Sequence, residues 1–204
     1  MAVTLTTRNT LLGVFQPKGD AARLAANLAT VVLGTLLITI AAKINVPVWP
    51  VPVTLQSFAI AALAAAFGAR IGVATVALYL AEGACGLPVF ATGGGLAYLV
   101  GPTGGFLVGF LVQAAIIGYA ADRGASRRPL ALFGAMLVAT AALYALGFAW
   151  LVAMAGFAAW VDQANVIGSA FAGAVKPFIL WDALKMALAA LTVTGLWEVF
   201  AARR

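Results

Sequence analysis

The sequence predicts an all-α integral membrane protein, a bundle of six transmembrane helices with both termini cytoplasmic. Irregular Gly- and Pro-rich segments between the helices are expected to form an outward-facing pocket. The 204-residue chain is 64% hydrophobic and 9% charged, whereas a soluble domain carries about 25% charged residues. Crossing the hydrocarbon core takes about 20 apolar residues, so the chain has room for five or six spans joined by short loops. The basic residues gather in alternate connections, as membrane topology requires.

Residues 1–20 are mixed and polar, with Arg8, Lys18 and Asp20. They lack an early apolar run and a small-residue cleavage site, and so read as a cytoplasmic tail ahead of one membrane domain, 21–204. Span 1 runs from about Ala22 to Ala42. Ala22, Ala26, Thr30 and Gly34 recur at every fourth position, with Ala25 and Ala29 beside them. Such a smooth stripe lets another helix approach closely, either within this chain or from another subunit. Asn45 to Pro52 follows, and its three prolines favour an extended, polyproline-like cap over a helix. Trp49 suits the lipid–water interface. The segment reads equally as a lid or as a stiff connector.

Span 2 (about Thr54 to Phe67) and span 3 (about Ile71 to Gly83) are short and joined by Gly68-Ala69-Arg70. Span 4 covers about Gly104 to Ala121 and ends in a charged turn. Span 5 covers about Leu130 to Val152. Residues 153–176 are less apolar and suggest a loop with a surface or re-entrant helix. Span 6 starts after Lys176, with Pro177 in its first turn, and ends near Phe200.

Between spans 3 and 4 lies Leu87 to Gly105, which holds six of the chain's 22 glycines. Gly93-Gly94-Gly95 is a poor helix, since each glycine costs about 1 kcal/mol relative to alanine. Irregular backbone at membrane depth is tolerated where it is buried in protein or lines a cavity. The stretch is either a cavity wall or a water-exposed loop.

With both ends inside, Arg8, Lys18, Arg23, Arg70, Arg123, Arg127, Arg128, Arg203 and Arg204 are cytoplasmic. Only Lys43 and Lys176 fall outside, nine against two, which supports six spans. The three irregular segments then share the outer face.

The chain contains no histidine, which removes Ser-His and Cys-His catalysis and the H-E-x-x-H metal motif. Gly101-Pro-Thr-Gly-Gly lacks the Gly-Lys-Ser/Thr ending of a phosphate loop, and Tyr98 breaks any dinucleotide fingerprint. Cys85 alone forms no internal disulfide. The +6 net charge is explained by topology, so no nucleic acid is expected, nor any cofactor or metal.

Asp182 and Lys185 stand three apart within span 6 and therefore share a helix face. Intramembrane charges usually face the bundle interior and mark a functional site. The alternatives are a self-neutralising ion pair or a Lys185 that snorkels to the interface. Glu82 lies at the outer end of span 3, where an interfacial carboxylate needs little explanation.

Pro52-Val53-Thr54-Leu55-Gln56, Gly86-Leu87-Pro88-Val89-Phe90, Gly93-Gly94-Gly95-Leu96-Ala97-Tyr98-Leu99, Gly101-Pro102-Thr103-Gly104-Gly105-Phe106, Pro177-Phe178 and Asp182-x-x-Lys185 together resemble the BioY family. These are the biotin-specific substrate-binding (S) components of energy-coupling factor transporters. The resemblance runs from span 1 onward; Leu180-Trp181 departs from a Pro-Gly pair frequent in the family. It implies a six-helix bundle in the inner membrane that captures biotin from outside. A membrane coupling protein and ATP-binding-cassette subunits would drive release. Ala22, Ala26 and Thr30 then become candidates for docking the coupling protein.

Biotin's chemistry suits the residues singled out. Asp182 is an acceptor for the ureido N–H groups, and Lys185 attracts the carboxylate or holds Asp182 ionised. Backbone at Gly93, Gly94 and Gly95 approaches a ligand without a Cβ in the way. Tyr98, Phe90 and Trp49 offer apolar walls, or are ordinary packing residues. Gln56 and Glu82 complete the set. The competing readings are a stand-alone ion-coupled transporter of a small carboxylate, for which no relay or inverted repeat is visible, and an intramembrane enzyme using Asp182, Lys185 and Glu82.

Overall fold

The computed structural model describes residues 9–17, 19–48, 50–157 and 161–201. Trp49, Lys18 and Arg8 lie outside the described residues. The helices are α1 (Leu11–Val14), α2 (Asp20–Lys43), α3 (Gln56–Phe67), α4 (Ala69–Ala84), α5 (Leu96–Leu99), α6 (Gly104–Asp122), α7 (Pro129–Ala153), α8 (Val166–Ala174) and α9 (Ile179–Ala201). Single 3₁₀ turns occupy Ala125–Arg127 and Ala155–Phe157. Among the described residues, α2, α6, α7 and α9 are long and apolar enough to cross a membrane.

The bundle is assembled around α3, the shortest of its main helices at 12 residues, or about 18 Å. Ala59, Ala61, Ala64 and Ala65 on this helix are buried, and they let α4, α6 and α9 approach it closely. In lipid, apolar surface alone does not hold helices together, because the acyl chains are as apolar as leucine; close packing and interhelical hydrogen bonds do. Both are present. The buried Ser126 hydroxyl donates to the Ala65 carbonyl at 2.7 Å. The Asp122 carboxylate accepts from the Ala69 amide at 3.1 Å, so the end of α6 caps the start of α4.

Helix α2 is peripheral. Leu24, Leu28, Leu33, Leu36 and Ile40 are exposed, while Asn27, Gly34, Thr35 and Ile38 face inward. At Gly34 a Cβ would lie 2.6 Å from Thr75 Cγ2, so this glycine is the contact point between α2 and α4. The described part of the first twenty residues docks onto the bundle. Asn9 donates to the Asp122 carbonyl at 2.9 Å, Gln16 donates to Asn27 at 2.6 Å, and Leu11 is buried.

Some expected boundaries move. The proline segment is carried on a small antiparallel pair, β1 (Asn45–Val46) with β2 (Val53–Thr54), in register Asn45↔Thr54 and Val46↔Val53. Its prolines lack amide donors and occupy the connecting loop. Helix α9 begins at Ile179 rather than Pro177, because a turn from Val175 to Phe178 precedes it, with the Phe178 amide on the Val175 carbonyl at 3.0 Å. Asp182 therefore sits in the first turn of α9, where the helix dipole favours a carboxylate. Within 153–176 the surface helix is α8, capped by Asn165, which accepts from the Gly168 amide at 3.0 Å.

Candidate functional site

Asp182 is 4% exposed, and its carboxylate is the hub of a polar cluster drawn from three helices. From α3, the Ser57 hydroxyl donates to Oδ1 at 3.0 Å. From one turn along α9, the Lys185 ammonium donates to the same oxygen at 2.7 Å. From α7, the Tyr144 hydroxyl donates to Oδ2 at 2.7 Å. A second Lys185 hydrogen bond, 2.7 Å to the Thr54 carbonyl, ties α9 to β2. Buried charge is tolerated only when paired and hydrogen-bonded, and this cluster meets both conditions.

The cluster forms one wall of a cleft about 50 Å³ in volume. Phe106, Phe110, Phe178, Phe90 and Tyr98 supply most of the remainder, with Val51 and Pro52 from the proline loop. An apolar cleft with a few convergent polar groups is the usual form of a small-molecule site. Its volume is well below the roughly 300–1,000 Å³ of such pockets.

The walls are held by hydrogen bonds and ring contacts. Gln56 donates to the Tyr79 hydroxyl at 2.8 Å, and Tyr79 donates to the Val89 carbonyl at 3.0 Å. Lys43 donates to the Phe90 carbonyl at 2.6 Å. The Phe90 ring lies 5.4 Å from Tyr79 and 5.0 Å from Tyr98, centroid to centroid. The tight hairpin closed by the Phe90–Gly93 pair, beside the cleft, is thus pinned to α2 and α4.

Of the residues singled out from sequence, Asp182, Lys185, Gln56, Phe90 and Tyr98 come together here. Gly93, Gly94 and Gly95 do not line the cleft. The Gly95 amide (φ 96°) donates to the Gly83 carbonyl at 2.6 Å, and Gly93 accepts from the Phe90 amide at 3.0 Å. A Cβ on Gly94 would collide with the Leu87 carbonyl. The triplet folds the hairpin rather than facing its cavity. Gly94→Ala is accordingly expected to cost about 1–3 kcal/mol of stability, the usual range for overpacking, read as a lower Tm of the purified protein. Glu82 also stands apart, its carboxylate accepting from Thr35 on α2 at 3.0 Å.

Ser57 and Tyr144 were not among the residues singled out. Tyr144 did leave a signal: it and Thr140 are the polar residues of α7. Ser57 directly follows Gln56, with nothing in the sequence to separate it from a packing residue. Among the described residues no group of three or more His, Cys, Asp or Glu could hold a metal ion.

The sequence model of the BioY family matches residues 10–202. A probable biotin transporter BioY of Pyrococcus horikoshii is 33% identical over 168 residues, covering 82% of this chain and 93% of that protein. The biotin transporter BioY of Thermotoga maritima is 40% identical over 159 residues, covering 77% and 87% respectively. Among solved structures, the S-component for biotin from an ECF-type ABC transporter shares the fold. Its TM-score is 0.71 over 86% of this chain and 93% of that one, at 23% identity.

Proposed function

The chain belongs to the BioY family, and from that premise we propose that it captures biotin in the Asp182 cleft and serves its uptake as the substrate-specific subunit of an energy-coupling factor transporter. The observation that carries this reading is a buried carboxylate with hydrogen-bonding capacity to spare at the wall of an aromatic cleft. A carboxylate offers about four lone-pair sites; Ser57, Lys185 and Tyr144 use three. The fourth is free for a ureido N–H, and the phenyl rings suit the fused bicycle. The protein is a transport component and not an enzyme, and the family does not favour a stand-alone ion-coupled transporter.

In this reading α2, α3, α4, α6, α7 and α9 are the six spans of a multi-pass inner-membrane protein with both ends cytoplasmic. Biotin enters from the outer side and no cofactor takes part. Gln56 and Tyr98 shape the cleft, and the glycine triplet and Glu82 act at one remove through the hairpin and α2. Isothermal titration of the purified protein with biotin tests the assignment. Tyr144→Phe keeps the ring and removes one bond to the carboxylate, so it should weaken binding about tenfold. Absence of any binding heat or competition by the wild type would overturn it.

The partners are a membrane coupling protein and ATP-binding-cassette subunits. Ala22 is exposed and Ala26 and Thr30 are half-buried, and the Thr30 hydroxyl is turned back onto the Ala26 carbonyl at 2.8 Å. The small-residue stripe of α2 therefore keeps a low profile toward a neighbour. Ala26→Leu should abolish most ATP-dependent uptake in cells while leaving biotin affinity unchanged, because added bulk blocks close helix approach. Full uptake by this variant would take the stripe out of the docking surface.

A further inference from the structure

At the end of α9 remote from the cleft, a second pocket of about 250 Å³ is lined by Arg127, Thr194, Trp197 and Glu198. Trp197 lies fifteen residues beyond Asp182, about 22 Å along the helix, so the pocket falls near the opposite edge of a roughly 30 Å hydrocarbon core. Thr194 is 5% exposed and Trp197 6% exposed. The Thr194 hydroxyl and the Trp197 indole N–H have no hydrogen-bond partner among the described residues. An unpaired buried polar group costs about 1–3 kcal/mol, and two of them, just beneath the surface of residues that line one pocket, point to a group that satisfies them as the pocket opens around it.

The chemistry of the lining selects that group. An indole N–H only donates, and a hydroxyl donates or accepts. The Arg127 guanidinium lies over the Trp197 ring, 4.6 Å from its centroid, and adds a fixed positive charge. Its 3₁₀ turn is anchored by the Ser126 bond to α3. Three donors, one of them a cation, call for an oxyanion. Glu198 lines the same pocket and would repel a bare anion, but it is a partner for a primary ammonium a few bonds away. Phosphate and ammonium on one small head, at the depth of a membrane interface, describe a phosphoethanolamine lipid headgroup.

We propose that Arg127, Thr194, Trp197 and Glu198 form a binding site for the phosphoethanolamine headgroup of a bilayer lipid. The phosphate accepts from Arg127, Thr194 and Trp197, and the ammonium pairs with Glu198.

Lipid-stripped protein in detergent is titrated with dihexanoyl phosphatidylethanolamine, with its phosphatidylcholine counterpart and with inorganic phosphate, and bound adducts are read by native mass spectrometry. Phosphatidylethanolamine should bind, phosphatidylcholine should bind at least about tenfold more weakly, and phosphate should not compete at matched concentration. Trp197→Phe and Arg127→Gln should each weaken the phosphatidylethanolamine adduct by about tenfold, the worth of one hydrogen bond to a charged group. Equal binding by wild type and these variants would overturn the site, and equal binding of phosphate would overturn the lipid assignment. Gel filtration and helical circular dichroism control for folding. If Trp197→Phe fails that control, the exposed Arg127 variant alone decides the outcome.

Discussion

Replacing Asp182 by asparagine is expected to weaken biotin binding by roughly tenfold to a hundredfold. The substitution keeps the shape but turns one acceptor oxygen into a donor. Oδ1 faces the donors Ser57 and Lys185, and Oδ2 faces the donor Tyr144. An amide nitrogen on the Oδ1 side would face the Lys185 ammonium, which cannot accept, and on the Oδ2 side it would force the Tyr144 hydroxyl to turn from donor to acceptor. The ligand also loses a charge-assisted acceptor. A hydrogen bond to a charged group is worth about 1.5–3 kcal/mol, and each 1.4 kcal/mol is about a factor of ten in affinity. Isothermal titration measures the change. Unchanged affinity in a well-folded variant would remove Asp182 from the site.

Lys185→Met should instead register first as lost stability. The Lys185 side chain is 13% exposed and that of Asp182 5%, so the substitution leaves a buried carboxylate without its counter-charge. Removing one partner of such a pair costs about 3–5 kcal/mol, and the Thr54 carbonyl loses its donor as well. The double variant Asp182→Asn with Lys185→Met removes both charges and should recover most of that loss, because a neutral pair of similar volume is often as stable as the ion pair. Biotin binding should not recover. Thermal unfolding of the four proteins in one detergent closes the cycle. A Tm for Lys185→Met equal to the wild type would show that the ion pair is not a stability element.

Asp182 and Lys185 were legible in the sequence because both lie on one helix. Spacing alone puts residues three apart on the same face, and their charge is conspicuous in an apolar span. Tyr144 and Ser57 reach the carboxylate from 38 and 125 positions away. That distance is closed by the packing of α7 and α3 against α9, which no local pattern encodes. The long helices were legible from their apolar runs, whereas the short α1 and α5 and the start of α9 were not, since Pro177 suits either a first helical turn or the turn before it. Gly94 shows a different limit. A missing Cβ allows close approach of any backbone, and the neighbour turned out to be the chain's own Leu87 carbonyl rather than a cavity.

The pinned hairpin has a kinetic consequence. Under the proposed function, entry of biotin past the Phe90 ring would break the Lys43 bond to the Phe90 carbonyl or the Gln56–Tyr79–Val89 relay, and departure would break it again. A gate of this kind slows association below the usual 10⁵–10⁷ M⁻¹s⁻¹ and slows dissociation alongside it, leaving the equilibrium constant to the cleft itself. Residence time is then set by α2 and α4, remote from the groups that recognise the ligand. Under the proposed function, a vitamin held this way would stay bound long enough to meet an energised partner, and whatever loosens α2 would shorten the wait.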